Sequence, residues 1–393
     1  MTTSFFSLMG RQWRMLGRDP WLLSLVSWVP LLLFFLVWAI FSEQIAHNLP
    51  IGVVDLDNSR LSRALIRHYD ASPTLAISGH YGDIPHGAAA LRAGKIYALL
   101  LIPVDLAKKT ILGQSPAVTA LVNSQYLLIG KSINTALAQA HHTFSTQLAV
   151  QHSLLSDTPV FSRAFATVMP INNKIVPLFN SNSNYAQFLV PILLPAIWQI
   201  LMVATTVVFL FTAARRDGFA VWLGPSPLRT LLAGFLTLIV LFCLQGLFFL
   251  WLAYIYLDLP MHGSWMVLLL AQLATVCASI SVASLLCFIT LDAARSLSFA
   301  AAYAAPGLAF MGVTFPATDM NLLARIWRSL LPISHYVEVQ LAQANYAAPW
   351  PANLAQLQHL GWFMLPLLLV FYRARQFACA QPGLPVPLEE RGL

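Results

Sequence analysis

Gly130, Lys131 and Ser132, in "LLIGKSIN" (127–134), are the residue types that close a phosphate-binding loop. Such a loop needs G-x-x-x-x-G-K-[ST] between a strand and a helix, so that backbone N–H groups wrap the phosphates. Gln125 stands where the first glycine should be, and the tripeptide opens a helical pattern with no glycine-rich turn before it. Asp55 and Asp57 flank a strand end as a metal or acid/base pair would, but aspartates beside Asn58 and Ser59 are also ordinary turn and cap residues. His141 and His142 are adjacent, so on a helix they point about 100° apart and cannot chelate one ion in the i, i+4 manner. Of the four cysteines, Cys243, Cys277 and Cys287 lie in apolar runs and Cys379 in the C-terminal tail, with no Cys-x-x-Cys pair. With no G-x-S-x-G elbow either, no catalytic, metal-ligating or cofactor-binding residue is expected, and the chain does not read as an enzyme.

Positioning these residues is a chain of 393 residues, 58% hydrophobic and 9% charged. Soluble domains carry about 25% charged residues, so the composition points to a polytopic membrane protein. The net charge of +7 is spread over short segments at the ends of apolar runs. Without a basic stripe interleaved with aromatics, nucleic acid is not an expected partner.

A hydrocarbon core of about 30 Å takes roughly 20 apolar residues of helix. "WLLSLVSWVPLLLFFLVWAIF" (21–41) qualifies, as do the runs near 186–213, 230–257, 264–291 and 296–316; "HLGWFMLPLLLVFY" (359–372) is short and must borrow the preceding residues. Six transmembrane helices are expected. The first run exceeds a signal peptide's apolar stretch of about 7–15 residues and no A-x-A pattern follows, so it should remain as an anchor. Arg11, Arg14 and Arg18, then Arg215 and Arg216, Arg295, and Arg373 and Arg375 lie in segments that the positive-inside rule places in the cytoplasm with both termini. Arg325 and Arg328 run against this pattern.

Residues 42–185 then form an extracytoplasmic domain. "IGVVDLD" reads as a strand and Asn58 or Ser59 as the cap of the following helix. Strand "TLAIS", helix "IPHGAAALRAG", strand "KIYALLLIP", helix "VDLAKKTIL", strand "AVTALVNS" and a long helix follow. Strands alternating with helices give an α/β fold. A polar, structureless stretch, "INNKIVPLFNSNSNYAQ", returns the chain to the membrane.

Ion-coupled transporters keep ionisable groups inside the bilayer at about 2.5–3.5 kcal/mol each. The span interiors carry none, so a proton or sodium relay is not expected. Gln199, Gln245 and Gln272 are the polar residues there, able to line a substrate path or to hydrogen-bond between helices. Pro191, Pro195, Pro306 and Pro366 should kink their helices.

Work must therefore enter from a cytoplasmic partner. The longest cytoplasmic segment, "TAARRDGFAVWLGPSPLRT" (212–230), places Arg215, Arg216, Asp217 and Gly218 before Phe219, Val221 and Trp222, as a short docking helix would; a solvated turn is the alternative. At the N-terminus, Phe5, Leu8 and Trp13 oppose Arg11, Arg14 and Arg18, as in an interfacial helix that ends before Pro20.

This layout resembles the type-2 ABC-transporter permeases (ABC-2 exporter membrane subunits), whose ATPase is a separate polypeptide. The resemblance covers essentially the whole chain and is most specific in "MGVTFPATDMNLLARIWRSLLPISHYVEVQLAQ", with Gly312, Pro316, Pro332, His335 and Tyr336 at matching places. It implies an α-helical polytopic membrane protein with six transmembrane helices and an α/β extracytoplasmic domain between the first and second. The expected organisation is a cytoplasmic interfacial amphipathic helix over 1–20, helix one over 21–41, the periplasmic domain over 42–185, five further helices over 186–375 and a tail over 376–393. Within it fall a coupling loop near 213–229 and an outer re-entrant or interfacial segment near 312–345. ATPase coupling falls to Arg215, Arg216, Asp217, Gly218 and Trp222, although the family's acid-rich start and Gly-Thr pair are replaced here by Arg215 and Gly218-Phe219. The implied partners are a cytoplasmic ABC ATPase carrying ATP and Mg, a second permease copy or paralogue, a periplasmic membrane-fusion adaptor and the lipid bilayer. The implied function is efflux of a drug-like, lipidic or other amphipathic substrate across a bacterial inner membrane. The alternative is a non-transporting surface, receptor or secretion-accessory protein of the same architecture.

Overall fold

The computed structural model describes residues 4–43, 45–112, 114, 116–154, 178–180, 184–215, 218–313 and 315–379. It contains two compact units, one of residues 1–42 with 186–393 and one of residues 43–185.

The first unit opens with α1 (Phe5–Arg18), α2 (Pro20–Val26) and α3 (Trp28–Ile40). Asp19 starts α2 by accepting from the N–H groups of Trp21 and Leu22, at 3.0 and 3.1 Å, with Pro20 at the first helical position where no donor is missed. Ser27 separates α2 from α3, and together they give one apolar stretch, Pro20–Ile40, long enough to cross a membrane.

The second unit follows as β1 (Leu49–Asp55), α4 (Arg60–Asp70), β2 (Leu75–His80), α5 (Ile84–Arg92), β3 (Ala98–Ile102), α6 (Leu106–Ile111), β4 (Thr119–Val122) and α7 (Leu127–Leu154). The sheet order is β2-β1-β3-β4, with β1 parallel to both neighbours and β4 antiparallel to β3. Ser59 caps α4 in a reciprocal capping box with Ser62. Ile51, Val53, Leu100 and Ile102 face Leu65, Leu106 and Ile133 of α4, α6 and α7, whereas Val54 and Leu99 turn to Ala90 of α5. Helices thus cover both faces of the sheet, as a largely parallel sheet requires.

Back in the first unit come α8 (Tyr185–Ala214), α9 (Gly218–Leu223) and α10 (Pro227–Trp251), which continues through a π-turn at Leu252–Tyr256. Next are α11 (Trp265–Thr290), α12 (Ala293–Ala304), α13 (Gly307–Phe310), α14 (Leu322–Ser329), α15 (Pro332–Tyr346), α16 (Trp350–Trp362) and α17 (Leu365–Cys379). Among the described residues, five helical stretches are long and apolar enough to span a bilayer: Pro20–Ile40, Tyr185–Ala214, Pro227–Tyr256, Trp265–Thr290 and Trp350–Ala378. The last shows what the short 359–372 run borrows, since α16 and α17 adjoin through a turn at Phe363 and Met364.

The apolar run 296–316 does not form one helix. Pro306 lacks the N–H that would continue α12, Gly307 begins a separate four-residue turn of helix, and Gly312 adopts φ +85°, in the region that favours glycine. The 12 residues of α12 rise about 18 Å, short of the hydrocarbon thickness. By contrast α15, only mildly apolar, is largely buried and packs against α11 and α16.

Candidate coupling site

Expected site residues come together at one end of the helical unit. Gly218, at φ +79°, opens α9, and Gly224, at φ +59°, closes it, so the chain reverses within a few residues. Phe219 packs on Phe211 of α8 at 5.3 Å between ring centroids and on Phe288 of α11 at 5.2 Å, and Phe288 lies 6.3 Å from Phe377 of α17. Trp222 is buried, its ring 6.3 Å from that of Phe219. Thr230 of α10 donates to the Leu223 carbonyl at 3.0 Å, satisfying an acceptor that the end of α9 leaves open. One short helix therefore touches the ends of four long ones. Arg215 is exposed; Arg216 and Asp217 lie outside the described residues.

The N-terminal helix joins the same end. Arg11 Nη2 donates to the Trp222 carbonyl at 3.2 Å, and Thr212 Oγ1 lies 3.5 Å from Asp19 Oδ2. The buried stripe of α1 is Leu8, Gln12 and Leu16, one residue every turn, against α10. Trp13, expected on the apolar face, is instead 38% exposed beside exposed Arg14, because the stripe turns about 100° away from it. Gln12, fully buried within that stripe, was not foreseen: a glutamine next to Arg11 and two residues from Arg14 reads as surface.

The three intramembrane glutamines are buried, and each bonds to backbone on another helix. Gln199 Oε1 accepts from the Ile333 N–H at 2.8 Å, satisfying an open donor in the first turn of α15. Gln245 Nε2 donates to the Val26 carbonyl at 2.8 Å, and Gln272 Nε2 to the Cys243 carbonyl at 3.2 Å.

The segment matching Gly312 to Tyr336 forms a polar cluster at the start of α15. Pro316 precedes a 3-10 turn and Pro332 occupies the first position of α15. Tyr336 packs on Trp198 and Phe249, with centroids 6.3 and 6.4 Å away. His335 places Nδ1 2.6 Å from Gln356 Oε1 and Nε2 3.1 Å from the Ser329 carbonyl, and stacks on His359. Gln356 Nε2 donates to Glu338, which also pairs with Arg328. That pair neutralises one of the two arginines that ran against the charge pattern. Above it, α14 leaves Leu322, Leu323 and Ile326 exposed, an apolar stripe suited to an interface.

Burial lowers the pKa of His335, and His359 and Arg328 act the same way, whereas the carbonyls of Gln356 and Ser329 oppose them because only an imidazolium donates twice. Burial prevails, so the folded state favours neutral His335. As pH falls through the ordinary histidine value of about 6.5, the unfolded chain takes its proton first and folding loses stability. His335→Gln should flatten this acid limb in thermal melts recorded from neutral to acidic pH.

The other candidate groups bond within their own unit. Asp55 accepts from the N–H groups of Asp57 and Asn58 and from Ser62 Oγ, and Asp57 from the Ala107 N–H. Gly130 sits in the first turn of α7, its N–H donating to the Tyr126 carbonyl at 2.7 Å. Burial pushes the Tyr69 phenol up to about 12 and lowers His141, and the Tyr69 hydroxyl lies 2.8 Å from His141 Nδ1. No cluster of three or more His, Cys, Asp or Glu exists among the described residues.

Apolar helices of spanning length, gathered at one end around a short loop helix and an amphipathic N-terminal helix, define a polytopic membrane protein. A family model described as ABC-2 family transporter protein matches residues 20–372, and the chain belongs to that family. It is therefore the membrane component of an ABC transporter, a class whose membrane subunits work with an ATPase partner. No curated protein and no solved structure matches the chain.

Proposed function

We propose that the chain is the membrane half of an exporter that moves an amphipathic, drug-like or lipidic substrate out of the cytoplasm or inner leaflet, as one of two membrane subunits. A separate ATPase, carrying ATP and Mg, presses on α9 and α1. The observation that carries this reading is the bond from Arg11 to the Trp222 carbonyl beside the Phe219 cluster, which ties both elements to the ends of α8, α10, α11 and α17. Displacing α9 then repacks several spans together, the kind of discrete change that helix interfaces support.

The orientation follows from charge. Arg11, Arg14, Arg18, Arg215, Arg229 and Arg295 belong to this end, which the positive-inside rule assigns to the cytoplasm of a bacterial inner membrane, with both termini. Residues 43–185 then lie outside, available to a periplasmic adaptor. A sixth crossing is completed between α11 and the end of α15: α11 ends beside the Phe219 cluster, whereas Ala344 near the end of α15 accepts from the His262 N–H at the opposite end of α11.

The test is ATP hydrolysis by the ATPase co-purified with this chain. Arg215→Glu, at an exposed position, should weaken co-purification, and Trp222→Ala should lower stimulated hydrolysis about 5- to 150-fold, the usual range of coupling between sites. Unchanged binding and hydrolysis in both variants would remove the coupling assignment.

A further inference from the structure

The α/β unit contains an open cleft of about 630 Å³ whose lining includes Asp55 at the end of β1 and Asn58 beyond it, His80 at the end of β2 and Tyr81 beyond it, and Arg63 and Arg67 of α4. Its position follows from the topology. The connection leaving β1 runs to α4 on one face of the sheet, and the one leaving the adjacent β2 runs to α5 on the other. Neighbouring strands whose carboxyl ends diverge in this way open a crevice where α/β sheets take ligands.

Charge in the cleft is unevenly committed. Asp55 already accepts three hydrogen bonds, and Asp70 Oδ1 accepts from the Ile77 N–H at 2.9 Å, so both carboxylates are held by the protein's own donors. Arg63 spends one donor on the Asn58 carbonyl, at 2.8 Å. Among the described residues, Arg67 makes no ion pair and its side chain and that of His80 donate to no protein acceptor, although Asp70 lies three residues along the same helix. A guanidinium offers five N–H groups in a planar fork that matches carboxylate and phosphate. Val53, Ile66 and Ile77 supply an apolar wall.

We propose that this cleft binds a small organic anion, its carboxylate or phosphate head on Arg67 and Arg63 and its apolar body against Ile66, Ile77 and Tyr81. The site rests on the α/β unit alone and stands or falls separately from the transport reading.

Calorimetric titration of the full chain in lipid nanodiscs tests it with benzoate, phenyl phosphate and the uncharged benzamide. At least one anion should bind saturably with Kd on the order of 1 mM or tighter and about tenfold more tightly than benzamide, and which anion binds tells carboxylate from phosphate. Arg67→Gln and Arg63→Gln, both at exposed positions, should each weaken it about tenfold, Arg67→Lys less, and Arg92→Gln on α5 not at all. Added salt should also weaken it. Equal affinity for benzamide, no saturable binding of either anion, or unchanged binding by both glutamine variants would overturn the site. ATPase stimulation should be unaffected by these variants.

Discussion

Gly246→Val should leave little folded protein after detergent extraction. At Gly246, α10 approaches α8 and α11 so closely that an added Cβ would lie 2.8 Å from Trp198 Cζ2 and 2.8 Å from Gln272 Cδ. The Gln272 amide could swing away by giving up its bond to the Cys243 carbonyl, but Trp198 cannot follow. Its ring is fully buried, wedged against Phe249 at 5.4 Å and Tyr336 at 6.3 Å. Small residues at helix crossings permit this approach in a membrane, and overpacking costs about 1–3 kcal/mol even where neighbours partly adjust. Gly246→Ala should therefore be intermediate, and adding Gln272→Ala should recover only the part due to the amide. Gly361, with nothing within 4 Å, is the control, and Gly361→Ala should be neutral or slightly stabilising. Size-exclusion profiles and thermal melts of the four variants decide the matter; wild-type melting of Gly246→Val would show that the three helices separate freely.

What the sequence disclosed depended on how local the governing physics is. The strand read at "IGVVDLD" forms two residues earlier, over Leu49–Asp55, and the helix capped at Ser59 follows it, because strand and cap are local choices of residue type. The long apolar stretches were equally readable, because bilayer thickness fixes their length. The 296–316 run misled because hydropathy counts side chains and ignores backbone donors; the Pro306-Gly307 pair was the available signal. Burial of α15 was hidden for another reason. Ser334, His335, Gln340 and Gln343 suggest a surface, and the groups that receive three of them are distant in sequence: Gln356 for His335, Tyr254 for Gln340, the Ser264 N–H for Gln343. Around α9, Arg215 and Trp222 were singled out from the loop, but the partnership of Arg11 with the Trp222 carbonyl, 211 residues away, is a property of the folded chain.

That same limit applies to Gln245, and it yields a prediction with an unusual sign. In a continuous helix the Val26 carbonyl would accept from residue 30, but residue 30 is proline and has no N–H. Gln245 Nε2, from α10, occupies the vacated direction at 2.8 Å. A backbone carbonyl without a donor is costly in a lipid environment, and interhelical bonds there contribute about 0.6–1.7 kcal/mol. Gln245→Leu should therefore destabilise the unit by about 1–2 kcal/mol in denaturant titrations. Pro30→Ala returns an N–H to the Val26 carbonyl and deprives the Gln245 amide of its role, leaving a buried polar group whose Oε1 already lacks a protein partner. Combining Pro30→Ala with Gln245→Leu removes the orphan carbonyl and the redundant amide together, so the double variant should be more stable than Gln245→Leu alone, with a coupling of about 1 kcal/mol. Strict additivity would mean that Gln245 and Pro30 act independently and that the amide serves some purpose other than mending the break between α2 and α3.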